Sequence, residues 1–349
     1  MLDSQWLSGE LVYQICRGSY LQLKLRYHNT MFYTHTFTLR QKLLSLVLLA
    51  LLPSFLLAQE ADMAKEEMSK EEMDKRTPVY QTFKDRRVIN AQSVETLAAR
   101  KLDVRIGHRF GDLLGNAGGW PTFYGLENAT DVMIGADYGV TDRFDMGLYR
   151  TKGASELRQL VSTIAKYKLF QQYEEIPNSI SVTALGVLSI STMSKGSNPD
   201  AINFFSKFSH RMAYTAQLII AQKFSENFSL QFTPSYTHRN IVNFGDVNDT
   251  YSLGVALRVQ LTRVIGIIAD VTMPMNGEQS PLTRTGTGTV DYRVPLGIGF
   301  EFDTGGHIFQ VNLTNATGLM EPDYIPNTTS SWTEGEFRLG FTISRLFNL

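Results

Sequence analysis

The sequence predicts an all-β fold: an antiparallel up-and-down transmembrane β-barrel of about 12 strands, preceded by a signal peptide and a short charged linker. Three observations predict it. From Lys101 to the C-terminus, apolar and polar residues alternate with period two. The loops between the alternating runs are in turn tight and long. An export signal stands ahead of them.

Composition alone would pass for a soluble protein: 349 residues, 43% hydrophobic, a net charge of -1 and a mean hydropathy of -0.13. A barrel gives the same averages, because half of each strand faces a polar interior. No basic tract with interleaved aromatics occurs, so a nucleic-acid partner is not expected.

Arg40 and Lys42 precede an apolar run at 43–57, broken only by Ser45, Pro53 and Ser54 and followed by Ala58 and Gln59. That is the layout of a secretory signal, and the run is shorter than the roughly 18 apolar residues of a spanning helix. Residues 31–58 are therefore read as a signal peptide beginning at Met31 and cleaved after Ala58. Residues 1–30 are read as an over-extended, unstructured start. The single cysteine, Cys16, falls there, so the mature chain has no disulfide, thiol nucleophile or thiolate metal site.

Residues 59–80 are a charged low-complexity linker. Met63, Met68 and Met73 recur every five residues, a spacing that winds around a helix and builds no apolar stripe. Residues 81–100 are read as a periplasmic lead-in, and 101–349 as the outer-membrane barrel.

Strands are expected at about 101–110, 129–140, 143–150, 156–170, 179–193, 208–224, 227–240, 250–261, 264–275, 290–302, 307–315 and 335–347. The tenth has the clearest alternation, with Val290, Tyr292, Val294, Leu296, Ile298, Phe300 and Phe302 on one face. In the eighth, Leu253, Val255, Leu257 and Val259 oppose Ser252, Gly254, Ala256 and Arg258. Such runs meet the roughly 9–11 residues a tilted strand needs to cross a bilayer. Tight turns fall at 141–142, 225–227, 262–263 and 303–306, and longer loops at 111–128, 194–207, 241–249, 276–289 and 316–334. Turns are expected in the periplasm and loops outside. The last strand keeps one parity through Leu339, Phe341 and Phe347 to Leu349. Phe347 and Leu349 resemble the C-terminal signal read by barrel assembly machinery, an expected partner.

Parity also sorts the candidate site residues. Arg105, Arg109, Asp131, Asp137, Arg211, Arg239, Arg258, Asp270, Asp291, Arg293, Glu301 and Arg338 are expected to line the lumen. Leu253, Val255, Leu257, Leu296, Ile298, Phe300, Leu339 and Phe341 are expected to face lipid, where a charge costs about 2–4 kcal/mol near the midplane. The opposed inward charges imply a salt-bridge lattice that blocks the lumen or a narrow polar pore. An interior largely filled by side chains is favoured over an open diffusion pore.

His108, His210 and His238 are placed at the extracellular rim. One reading is a histidine activating a serine such as Ser235 or Ser209 on lipid. An interfacial girdle is favoured instead, since Ser235 and His238 have opposite parity and no third orienting group is evident. The run from Gly115 to Gly119 lacks the following helix and Lys-Ser/Thr of a phosphate cradle and is read as a loop. No catalytic residue, metal site or cofactor is expected.

Six stretches carry a resemblance to a known family: TFKDRRVINAQSVETL (82–97), HRFGD (108–112), GLENATDVMIGADYGVTDRFDMGLYR (125–150), AYTAQLIIAQKFSENFSLQFTPSYTHRN (213–240), VPLGIGFEFDTGGHIFQVNLTNA (294–316) and GEFRLGFTISRLF (335–347). Together they resemble an uncharacterised β-barrel family of Bacteroidota-type outer membranes, a domain-of-unknown-function family. The resemblance implies a barrel in an outer membrane and supplies no catalytic residue. The expected function is a porin-like channel or selective passage for small solutes. The alternatives are a barrel enzyme acting on outer-membrane lipid, and a closed structural or adhesive barrel binding partners through its external loops.

Overall fold

A computed structural model describes residues 76–153, 157–243, 246–277, 280 and 292–349. The signal peptide, the linker before Arg76 and Asp291 lie outside the described residues. Among those described, twelve strands form the wall: β1 Lys101–Asp112, β2 Asp131–Gly139, β3 Phe144–Lys152, β4 Gln159–Phe170, β5 Ser181–Ser191 and β6 Met212–Ser225. They continue with β7 Phe228–Arg239, β8 Asp249–Gln260, β9 Ile265–Pro274, β10 Leu296–Asp303, β11 His307–Thr314 and β12 Arg338–Asn348. Each pairs antiparallel with the next, and β1 closes on β12 from Lys101↔Asn348 to Arg109↔Gly340.

Alternation makes the two faces. On β10, Leu296, Ile298 and Phe300 are exposed on the outside, while Gly297, Gly299 and Glu301 are buried inside. On β8, Leu253, Val255 and Leu257 point out against inward Ser252, Gly254, Ala256 and Arg258. Leu339 and Phe341 are half-buried, and Phe347 and Leu349 are exposed.

Local chemistry sets the tight turns. The Thr141 hydroxyl accepts the Phe144 N–H at 3.0 Å between β2 and β3, and Thr262 does the same for Ile265 at 3.0 Å between β8 and β9. Between β10 and β11, Gly305 has φ +83°, a conformation glycine adopts without the steric penalty of a Cβ.

Three expectations differ from the structure. β10 begins at Leu296 and not near 290: the Arg293 N–H donates to Thr328 O at 2.7 Å, Pro295 has no N–H, and the ladder to β9 starts at Leu296↔Val271. The segment read as a periplasmic lead-in folds into the barrel, with Thr82, Phe83, Asp85–Val94 and Leu97 buried. The connection after β11, expected as an external loop, also turns inward. It buries Asn315–Thr328 and forms α1 (Glu321–Asn327) against β5, β6, β7 and β9. Its apolar residues Leu319, Met320, Tyr324 and Ile325, at most 5% exposed, account for the turn inward.

Candidate functional site

The site is the barrel interior, occupied from both ends. At the turn end, Val79 N–H bonds Gln172 O at 2.8 Å and Thr77 N–H reaches Glu175 Oε1 at 2.9 Å. The chain then rises into the lumen and reverses, with Ser93 N–H on Arg86 O at 2.8 Å and Val88 N–H on Ala91 O at 2.9 Å. It leaves by the end it entered, where Leu97 N–H donates to Asp145 Oδ2 at 2.8 Å before β1 starts. The inserted segment is thus a hairpin.

Its tip sits on β9. One oxygen of the Asp270 carboxylate accepts the N–H groups of Ile89, Asn90 and Ala91 at 3.0, 2.6 and 2.8 Å, and the other accepts Asn90 Nδ2 at 2.7 Å. Its base sits on β4, where Lys166 Nζ donates to the carbonyls of Arg86, Ser93 and Glu95 at 3.0–3.2 Å. Charged groups fill the space between. Arg86 bridges Asp137 on β2 and Asp145 on β3, and Arg105 on β1 grips Asp85 bidentately while reaching Asp103 at 2.9 Å. Gln231 and Gln310 hold the hairpin from β7 and β11, and Thr183 holds it from β5.

The inward loop after β11 meets the hairpin from the opposite end. Arg87 Nη2 pairs with Glu321 Oε1 at 2.9 Å and its Nη1 donates to Leu319 O at 2.6 Å. Arg109 donates to the carbonyls of Ala316 and Gly318 and, through Nη2, to Asn90 Oδ1 at 2.7 Å. An apolar cluster of Phe83, Val88, Ile89 and Val94 with Met133, Ile164, Ile219, Ile268 and Met320 lies among these polar contacts. Around the wall at this depth Arg105, Met133, Ile164, Thr183, Ile219, Gln231, Ala256, Ile268, Glu301 and Gln310 are at most 2% exposed.

The residues expected to line a lumen divide accordingly. Arg105, Arg109, Asp137 and Asp270 bind the two inserted segments. Asp131 is buried beside Arg338 (3.4 Å), Arg258 pairs with Glu301 at 2.8 Å, and Arg239 pairs with Asp246 at 2.7 Å. Arg211 precedes β6 on a short 3-10 turn, donating to Ser191 O and Met193 O and stacking on Phe205. Arg293 precedes β10 and pairs with Glu334 at 3.4 Å.

On the outside, His108 packs edge-on against Phe110 and beside Phe341, and His210 lies on the turn before β6, 3.3 Å from Ser206 Oγ. His238 does have an orienting partner, contrary to expectation: Asp249 Oδ1 lies 2.7 Å from its Nδ1 and also accepts the Tyr236 hydroxyl at 2.5 Å. A serine is what it lacks: Ser235 lies on the inner face, bonded to Ser252 at 2.5 Å. Among the described residues no group of three or more His, Cys, Asp and Glu could hold a metal ion.

Sequence reasoning assigned no role to Asp85, Arg86, Arg87 or Asn90. The available signal was the KDRR run inside a family-like stretch, next to a linker outside it.

Comparison places this chain among known barrels. The family model for a membrane bound beta barrel domain (DUF5777) matches residues 83–347. Among solved structures, a KdgM porin is 8% identical with a TM-score of 0.41, covering 71% of this chain and 99% of that one. A NanC porin is 9% identical (TM-score 0.40; 71% and 100% covered), and an outer membrane channel from Pseudomonas putida F1 is 13% identical (TM-score 0.42; 72% and 97% covered). None of the curated proteins compared matches.

Proposed function

Because the chain belongs to the membrane bound beta barrel domain family, we propose that it is a non-enzymatic outer-membrane passage for small solutes, closed at rest by the hairpin of residues 82–97 and the inward loop after β11. Its outward apolar face meets lipid. The observation that carries this reading is the hairpin's route: it enters and leaves by the turn end, so it withdraws as one unit without threading the wall. Its contacts with the wall are largely polar. A buried ion pair roughly breaks even against hydration, so charges released into a water-filled lumen lose little. Phe83, Val88, Ile89 and Val94 favour the closed state, at about 1.5–3 kcal/mol for each side chain removed from water.

The test is conductance in planar bilayers of the mature chain and of a variant lacking residues 82–97. Brief openings of the former and steady conductance of the latter are expected. The continuous burial around the wall favours a second reading, a closed structural barrel. A deletion variant that is folded yet silent selects it.

A further inference from the structure

One part of the inner wall, on three adjacent strands, carries a cluster of uncharged polar side chains. Thr215 and Gln217 on β6, Ser235 and Thr237 on β7, and Thr250 and Ser252 on β8 all point inward and are at most 9% exposed. Register sets Thr215 beside Thr237 and Gln217 beside Ser235, then Thr237 beside Thr250 and Ser235 beside Ser252. Six uncharged hydroxyl and amide groups therefore form two rows across three adjacent strands. The strands that carry them lie about 4.8 Å apart.

Two pairs satisfy each other: Thr215 with Thr237 at 2.8 Å and Ser235 with Ser252 at 2.5 Å. Two atoms have no partner. Gln217 Oε1 and Thr250 Oγ1 are without a hydrogen bond although their residues are 7% and 0% exposed. Nearby inward cations are engaged elsewhere, Lys166 with the hairpin carbonyls and Arg239 with Asp246 and Asn327. α1 packs against β6 and β7, and its Pro322 and Pro326 bring no N–H donor.

We propose that this grid is the solute-contacting face of the passage and that it takes small neutral polyhydroxylated solutes, of the class of sugars and polyols. The inference rests on the passage reading above. A hydroxyl both donates and accepts, so paired hydroxyls exchange their mutual bonds for those of a solute without leaving either partner short. A solute hydroxyl also satisfies Gln217 Oε1 and Thr250 Oγ1. An ionic solute would shed water against groups that offer no countercharge, and an apolar one would leave the grid unpaired.

The test is swelling of liposomes carrying the mature chain, or the chain lacking 82–97, in a neutral sugar and in a zwitterionic amino acid of similar size. Swelling in the sugar should be several-fold faster. The double variant Thr237→Val and Gln217→Leu, close in volume, should lower the sugar rate about tenfold and leave the amino-acid rate unchanged, with protease resistance checking the fold. Equal rates for the two solutes, or a sugar rate indifferent to the substitutions, overturn the solute class and leave the passage standing. No swelling in either solute by folded protein overturns the passage itself and the solute class with it.

Discussion

Arg87 and Glu321, 234 positions apart, meet at 2.9 Å inside the barrel and join the two segments that fill it. One side chain belongs to the N-terminal hairpin and the other to α1. Neither inserted segment can shift without parting a pair that is at most 4% exposed.

Changing Arg87 to Ala should therefore favour the open barrel. Removing one partner of a buried pair costs about 3–5 kcal/mol, and even the lower figure is roughly a hundredfold in an equilibrium. Single-channel recording should show a marked rise in open time. An unchanged trace would mean that the pair does not hold the closed state.

Asp270 should govern the hairpin tip. An Asn at this position keeps one carbonyl oxygen and loses the charge that draws three N–H groups. Amides of Ile89, Asn90 and Ala91 in Asp270→Asn should exchange with solvent faster, while amides of β1 and β12 keep their protection. Hydrogen exchange read by mass spectrometry or NMR checks both.

The two faces of β10 should respond differently from a simple inward-tolerant pattern. Ile298→Arg places a cation on the outward apolar face, costing about 2–4 kcal/mol at mid-depth, and should impair assembly. Parity alone suggests that Gly297→Ser is harmless. A Cβ there would lie 2.8 Å from Ile89 Cγ2 and 3.0 Å from Asp270 Oδ1, so the substitution should loosen the hairpin and lengthen open time. Urea titration of the assembled barrel and conductance separate the two effects.

The pair formed by His238 and Asp249 should prove dispensable for lipid chemistry. With Ser235 on the inner face, His238→Ala should leave the acylation of outer-membrane lipid unchanged by mass spectrometry. A changed acyl profile would establish the enzymatic alternative.

The wall was legible in the sequence because each strand reports its faces through neighbours two residues apart. The interior was not. The bond from Val94 N–H to Gln231 spans 137 positions and that from Asn90 N–H to Asp270 spans 180, and no local period records such partners. Parity directed Arg105, Asp137 and Asp270 inward without revealing that each meets a segment of the same chain. The inward loop failed for a related reason: length alone made residues 316–334 an external loop, although Leu319, Met320, Tyr324 and Ile325 had the apolar character of a buried segment.

The seam between β1 and β12 joins the first strand of the wall to the last, so the cylinder cannot close until β12 has been made. The hairpin precedes β1 in synthesis and lies against residues drawn from β1 to β11. Closure therefore encircles a piece of chain that is older than any part of the wall. Chain order thus makes the earliest-made segment of the barrel unit its innermost occupant, enclosed by strands that are all made after it.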